Sequence, residues 1–471
     1  MAQPPLPRYV VLKCKYNNKY MRYTHEDVQQ HGLLQFTGEQ AVSPYAKFQV
    51  EPSKTVSGLV HLRCTYNNKY WVRWSETQYW ISGGADNPEE DQSKWSCTLF
   101  KPVFVEKDDH KTVRFLHVQL NHYACLFRSD PPFGNFVYAG WEEPNSDLCD
   151  VCEILDWESL LVLPKHVAFK GDNGQYLCAR WIEGHEYLEF SGSDLGDPSV
   201  GNEVFTNPDG SIRIKSDYFN KFWRRSPNWI WGDSSDSTAG NADTLFWPVK
   251  VGKSVVALRN YGNNYFCKRL TTEGKTSCLN AGVSTISREA QIGVEELVIS
   301  RSIYDVDFRL MDARIYDQSI VTMATGVASN GTSNPNTAKV KLSYTDTKSS
   351  TWSGNVSLKV GVKTTIKTGI PFLAEGHIEI SGEFSGGYTW GETNESSNTL
   401  ETEYEVSVKP MSLTRISLLA TRGSCDIPYS YTQRDTLTNG SQVTYRMDDG
   451  VYTGINSFNF KYETKEEKLV I

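Results

Sequence analysis

One turn in this chain gathers groups suited to a hydroxyl-rich ligand: Asn67, Asn68, Lys69, Tyr70 and Trp71 follow one another directly. A sugar ring needs an aromatic face against its C–H side and fixed amide or cationic donors for its hydroxyls, and these five side chains supply both. Asn68 and Trp71 are the preferred contacts. A structural reading competes, because the same motif recurs along the chain: most of it must then be scaffold, with Tyr70 turned inward and Asn68 shaping the turn. Other chemistry finds no comparable footing. Gly274-Lys275-Thr276 resembles the end of a phosphate loop, but Arg269 stands where the first glycine belongs. Cys149 and Cys152 have metal-ligand spacing without a second pair; Cys178 and His166 are the remaining candidates, and no metal site is expected. No His-Glu-x-x-His or Gly-x-Ser-x-Gly motif occurs, and Glu142 with Glu143 reads as a solvated turn. Neither an enzyme nor a cofactor is therefore expected.

The elements that carry the turn repeat. Asn or Gly, one residue, then Tyr or Phe appears at Asn18-Lys19-Tyr20, Asn68-Lys69-Tyr70, Asn121-His122-Tyr123, Gly174-Gln175-Tyr176, Asn220-Lys221-Phe222 and Asn263-Asn264-Tyr265. The aromatics are 50, 53, 53, 46 and 43 residues apart, and each motif follows a short apolar run. Asn and Gly tolerate positive φ, so each motif predicts strand, tight turn, strand. A fixed period calls for a repeat architecture. Six repeats fit one six-bladed propeller or two β-trefoils of three repeats each. The acidic stretch Cys149–Glu158 and Pro164 interrupt the pattern midway, which favours two trefoils, at 1–157 and 158–299, with a short helical turn near 287–295.

From about Ile303 the repeat gives way to long Thr, Ser and Val-rich strands, a third domain at 300–471. Inside it, 352–390 alternates with period two. Trp352, Val356, Leu358, Val360, Val362 and Ile366 fall on even positions, and Ser353, Asn355, Ser357, Lys359, Lys363 and Lys367 on odd ones. The return limb places Ile378, Ile380, Phe384, Tyr388 and Trp390 on even positions. Such a strand has one apolar and one polar face, as a membrane β-barrel requires. A turn centred on Pro371 would set Lys359, Lys363 and Lys367 opposite Glu383, Glu379 and Glu375, each pair contributing roughly 0.2–1 kcal/mol. The same register pairs Leu358 with Phe384, Gly354 with Tyr388 and Trp352 with Trp390, leaving Ile370 and Phe372 at an apolar tip. Val356–Ile366 is 11 residues long, enough for a tilted strand to cross hydrocarbon. Alternation also fits a half-buried hairpin in a sandwich.

Net charge of −8 argues against nucleic acid. No run of 18 apolar residues exists, and the first residues lack a signal core, so synthesis in the cytoplasm with ten reduced, buried cysteines is expected. Sequons fall at Asn330, Asn355, Asn394 and Asn439; a glycan on Asn355 would conflict with insertion of the hairpin.

The paired Asn-Asn-Lys-Tyr segments, including Tyr66 to Trp71, resemble the agglutinin domain of amaranthin-type plant lectins over about 1–300. Trp352 to Val356, Gly369 to Gly376 and Gly387 to Glu392 resemble the aerolysin-like pore-forming family over about 300–471. The double resemblance implies an all-β chain: two tandem β-trefoil domains, then an elongated aerolysin-like β-domain with a membrane-insertion hairpin. It implies a defensive lectin for galactose or N-acetylgalactosamine-type glycans on target cells, forming a homo-oligomeric pore. Amaranthin-type sites lie between domains, which makes the Phe222 and Tyr265 turns candidates for a second half-site. The alternative is a cytosolic lectin whose third domain oligomerises without inserting.

Overall fold

The computed structural model describes residues 6–105, 111–356 and 362–469, with Phe384 described by its backbone alone. Among the described residues every regular element is a β-strand or a three-residue 3-10 turn. The expected helical turn is Arg288–Ala290, followed at once by strand Ile292–Glu296.

Two twelve-stranded sheets fill the first three hundred residues, one running from Tyr9–Cys14 to Cys152–Asp156 and the other from His166–Lys170 to Ile292–Glu296. Each encloses its own core. The first gathers Leu12, Phe48, Leu62, Trp71, Phe100 and Phe115; the second gathers Phe169, Leu188, Ile214, Trp223, Phe246 and Leu258. The recurring turns have the backbone the motif demands: Asn18, Asn68, Asn121 and Asn220 have φ of 57°, 58°, 57° and 56°, and Gly174 has 77°. Two residues on, Tyr20, Tyr70, Tyr176 and Phe222 are all buried.

The sixth repeat is shifted by one residue from the expected Asn263-Asn264-Tyr265. The left-handed residue is Asn264, at φ 62°. Phe266 pairs with Arg259 as Tyr20 pairs with Lys13 and Tyr70 with Arg63. Tyr265 is consequently 44% exposed. Two adjacent asparagines made either register compatible with the motif, and the strand pairing selects the second.

The chain divides into two compact units. The first is Met1–Arg301 with Asn355–Lys363 and Gln433–Tyr445; the second is Ser302–Gly354, Thr364–Thr432 and Arg446–Ile471. In the second unit, strand Asn336–Ser353 pairs with Thr393–Val408 without interruption from Asn336↔Val408 to Thr351↔Thr393. One face of this ladder is ionic, with Lys339 and Lys341 opposite Glu405 and Glu403. On the other, Leu342 and Val406 join a small core with Ile416 and Leu418, and Val340 packs against it. Arg314–Asn330 pairs with Ser412–Leu437, and the end of Asn336–Ser353 pairs with Gln442–Lys468.

Candidate functional site

The 66–71 turn is built from the inside. Asn67 is 1% exposed; its Nδ2 donates to the Gly83 carbonyl at 2.8 Å and its Oδ1 accepts from Lys69 N at 3.2 Å. Asn17, Asn173 and Asn263 make the same pair of bonds in their own repeats. Asn68 supplies the left-handed turn and accepts from Arg63. Lys69 faces Asp86 at 3.4 Å, and the Tyr70 hydroxyl donates to Glu51 at 2.8 Å. Trp71, expected to stack on a ligand, is instead a core residue with 0% exposure, edge-on to Phe48, Phe100 and Phe115. Burying the largest apolar side chain outweighs displaying it. Phe222, expected at a second half-site, is likewise buried. Tyr265, the other half-site candidate, is 44% exposed, but the two most exposed aromatics among the described residues lie elsewhere: Trp181 is 61% exposed and Tyr218 is 55% exposed. The motif search missed them because it tracked the positions that repeat.

The 352–390 segment does fold back on itself, but not about Pro371. Thr364–Thr368 pairs with Phe384–Tyr388, as in Ile366↔Gly386, and Pro371–Ala374 pairs with His377–Ile380, as in Leu373↔Ile378. The turn is Glu375-Gly376, with φ of 49° and 86°. Two positive φ values suit a two-residue hairpin turn. Proline, fixed near −65°, cannot occupy such a turn and instead opens a strand. The anticipated lysine–glutamate ladder is therefore not formed. Lys367 meets Glu383 at 3.0 Å rather than Glu375, Lys363 does not oppose Glu379, and Lys359 lies outside the described residues.

The two ladders differ by one residue in register, so the buried side changes across Gly369. Ile366 is buried before it, and Pro371 and Leu373 after it. A one-residue slip exchanges the faces of a strand. Trp352, expected at a membrane interface beside Trp390, is fully buried against Tyr429 and Tyr452. Trp390 is half-buried against Tyr431. Val362, Ile370, Phe372 and Ile378 are half-buried, while Val356 is 38% and Ile380 is 43% exposed. Leu358 and Val360 lie outside the described residues, as does the Phe384 side chain.

Side chains fasten this hairpin to its sheet. Asn456 accepts from Leu373 N and donates to Leu373 O, both at 2.8 Å, completing for one residue the pairing a neighbouring strand would give. The Tyr452 hydroxyl donates to the Pro371 carbonyl at 2.9 Å. A cavity of about 330 Å³, lined by Pro371, Phe372, Tyr388, Tyr452 and Asn456 among others, adjoins these contacts.

All ten cysteines are buried. Burial pushes Cys14 up to about 11 and Cys278 and Cys425 up to about 12, so these thiols stay protonated and weakly nucleophilic near neutral pH. No cluster of metal-ligating side chains occurs among the described residues. No described helix is long and apolar enough to cross a membrane. Asn330, within a sequon, is 3% exposed and bonded to Asn334 and Val408 carbonyls.

A family model described as the agglutinin domain matches residues 4–156 and again 161–296, and one described as the aerolysin toxin matches 299–468. No curated protein matches the chain. Among solved structures, a lamprey immune protein is 14% identical, covering 66% of this chain and 93% of its own, with a TM-score of 0.33. A mosquitocidal holotoxin is 10% identical over 64% of this chain and 35% of its own, with a TM-score of 0.29. An aerolysin-like protein of Bombina maxima is 13% identical over 35% of this chain and 99% of its own, with a TM-score of 0.25.

Proposed function

We propose, from the premise that this chain belongs to the agglutinin family and ends in an aerolysin toxin domain, that it is a lectin-targeted pore-forming toxin of defensive character. Its two agglutinin copies are β-trefoils, a reading supported by twelve strands per sheet and three turn repeats in each. They bind galactose or N-acetylgalactosamine-type glycans on the target cell. Multivalent attachment raises the local concentration of copies. Neighbouring copies then associate, and each contributes its hairpin to a shared barrel. Made in the cytoplasm of the producing cell, the protein acts at foreign membranes.

The observation that carries this reading is the place of the hairpin. It is the connection between Asn336–Ser353 and Thr393–Val408, whose continuous ladder already alternates ionic and apolar faces. Straightening 354–392 would extend that ladder as one long hairpin. Closure with neighbouring copies would satisfy its exposed backbone edge, which lipid cannot do. Continued in its own register, that ladder would set Ile366 opposite Ile378, so both short ladders must re-pair, with Ile366, Ile378 and Ile380 on one lipid-facing side.

The test uses an environment-sensitive fluorophore on Ile380→Cys in the full chain, with vesicles bearing galactose-terminated glycolipid. Emission should shift to the blue as entrapped dye escapes. Dye release without any change at position 380 would overturn insertion by this hairpin. Glycan-bearing vesicles that neither bind the protein nor leak would overturn the whole reading.

A further inference from the structure

We infer that the second agglutinin copy, together with the 433–445 segment of the same compact unit, forms a binding cleft for a neutral saccharide between Asp217, Tyr218 and Asn439, extended by the aromatic side chains Phe219 and Trp181. The inference rests on the lectin reading above and deepens it by naming a site and a ligand class.

The cleft has a volume of about 380 Å³ and lies wholly within the first compact unit. Leu195, Pro198, Leu297 and Leu437 give it apolar walls. Tyr218, 55% exposed, lines it and meets Phe219 at 5.4 Å between ring centroids; Phe219 meets Trp181 at 5.6 Å. Three linked rings, two of them well exposed, leave the cleft along the surface. Such an aromatic strip is a platform for the C–H faces of sugar rings.

Hydroxyl-directed groups sit at its head. Among the described residues the Asp217 carboxylate accepts no hydrogen bond from the protein. Gly201 leaves room for the carboxylate: a Cβ there would come within 2.4 Å of Asp217 Oδ2. Burial keeps the Asp217 carboxyl above its ordinary range, with Glu203 adding to the effect and Lys215 opposing it. The Asn439 side-chain oxygen is used by the Ser441 N–H and hydroxyl, which directs its amide nitrogen away as a donor. One acceptor and one donor beside an aromatic face are what adjacent sugar hydroxyls require.

The scaffold does not need this carboxylate. Asp217 lies three residues before the left-handed Asn220, and the matching positions of the other repeats hold Lys15, Thr65, Val118, Gly171 and Tyr261. The charged side chains lining the cleft are Asp197 and Asp217, while His166 is held below the ordinary imidazole range by burial and bonds Tyr445. A sialic or uronic acid would face carboxylates, so the fitting ligand is a neutral hexose or N-acetylhexosamine.

Saturation-transfer NMR on the full chain, with methyl galactoside, methyl N-acetylgalactosaminide, methyl mannoside and N-acetylneuraminic acid as probes, tests the site. At least one neutral glycoside should bind and the acid should not. Asp217→Asn, Trp181→Ala and Gly201→Ala should each weaken binding about tenfold or more with unchanged thermal unfolding. Asp217→Asn is isosteric and removes the charge, so it separates recognition from folding. Neutral sugars binding wild type and all three variants alike would overturn this cleft and leave the lectin reading standing. Tighter binding of the acid would overturn the ligand class. No saccharide bound by wild type would overturn the cleft together with the lectin reading.

Discussion

Trp71 and Trp223 occupy matching places, each one residue after the inward aromatic of a middle repeat. Both are fully buried among phenylalanines of their own core: Trp71 meets Phe48, Phe100 and Phe115, and Trp223 meets Phe169 and Phe246. The indole of Trp223 donates to Asn202 at 3.0 Å, whereas the Trp71 Nε1 is buried with no acceptor. Trp71→Ala should therefore cost about 3–5 kcal/mol, read as a lowered urea midpoint. Trp71→Phe removes the unpaired donor along with part of the volume and should cost clearly less. Equal losses in the two variants would mean that the ring does not act through packing. The amides at 17, 67, 173 and 263 were legible as turn formers, since Asn before a positive-φ residue favours such turns. That their Nδ2 groups also bridge to a distant strand was not legible, because the acceptors lie 16 to 19 residues onward.

At the scale of the element, the hairpin is held by polar fastening as much as by packing. Asn456 is 4% exposed and spends both ends of its amide on Leu373. Asn456→Ala leaves a buried N–H and C=O without their partners, which should cost about 1–3 kcal/mol of stability. On the proposed mechanism the same variant should speed dye release from glycan-bearing vesicles, because the resting state is weakened and the inserted one is not. A lower urea midpoint with slower or unchanged release would place Asn456 outside the transition. Gly423 contributes by its size: a Cβ there would come within 3.0 Å of the Leu373 side chain, crowding the same seat. Alternation in the sequence announced a hairpin in this region. Its register depended on the turn, and a two-residue turn needs positive φ at both positions, which Glu375-Gly376 supplies and Pro371 cannot.

At the scale of the whole molecule, the chain returns late to its first unit. Gln433–Tyr445, the turn between the two longest strands with their adjoining ends, belongs with the agglutinin copies by contact. Arg301 fixes it there, bonding Glu296 at 2.6 Å and Asp435 at 2.8 and 2.9 Å, with Asp435 buried and the Glu296 and Arg301 side chains only slightly exposed. His166 adds a 2.8 Å hydrogen bond to Tyr445. Removing one member of a buried ionic group strands the others, so Arg301→Ala should destabilise by about 3–5 kcal/mol. Hydrogen exchange should show the loss concentrated at 433–445 and 296–301. Uniform exchange across the chain would contradict a local clamp.

Sequence by itself determined the all-strand character, the six turns and the change of pattern near residue 300. These follow from local rules: β-branched alternation, and Asn or Gly where φ must be positive. Tertiary structure alone decided which aromatics face solvent and which of two adjacent asparagines turns the sixth repeat. It also set the register of the hairpin and brought Asp217 beside Asn439. Burial and strand pairing are settled between residues far apart in the chain, where apolar area removed from water and completed backbone hydrogen bonds outweigh any local preference.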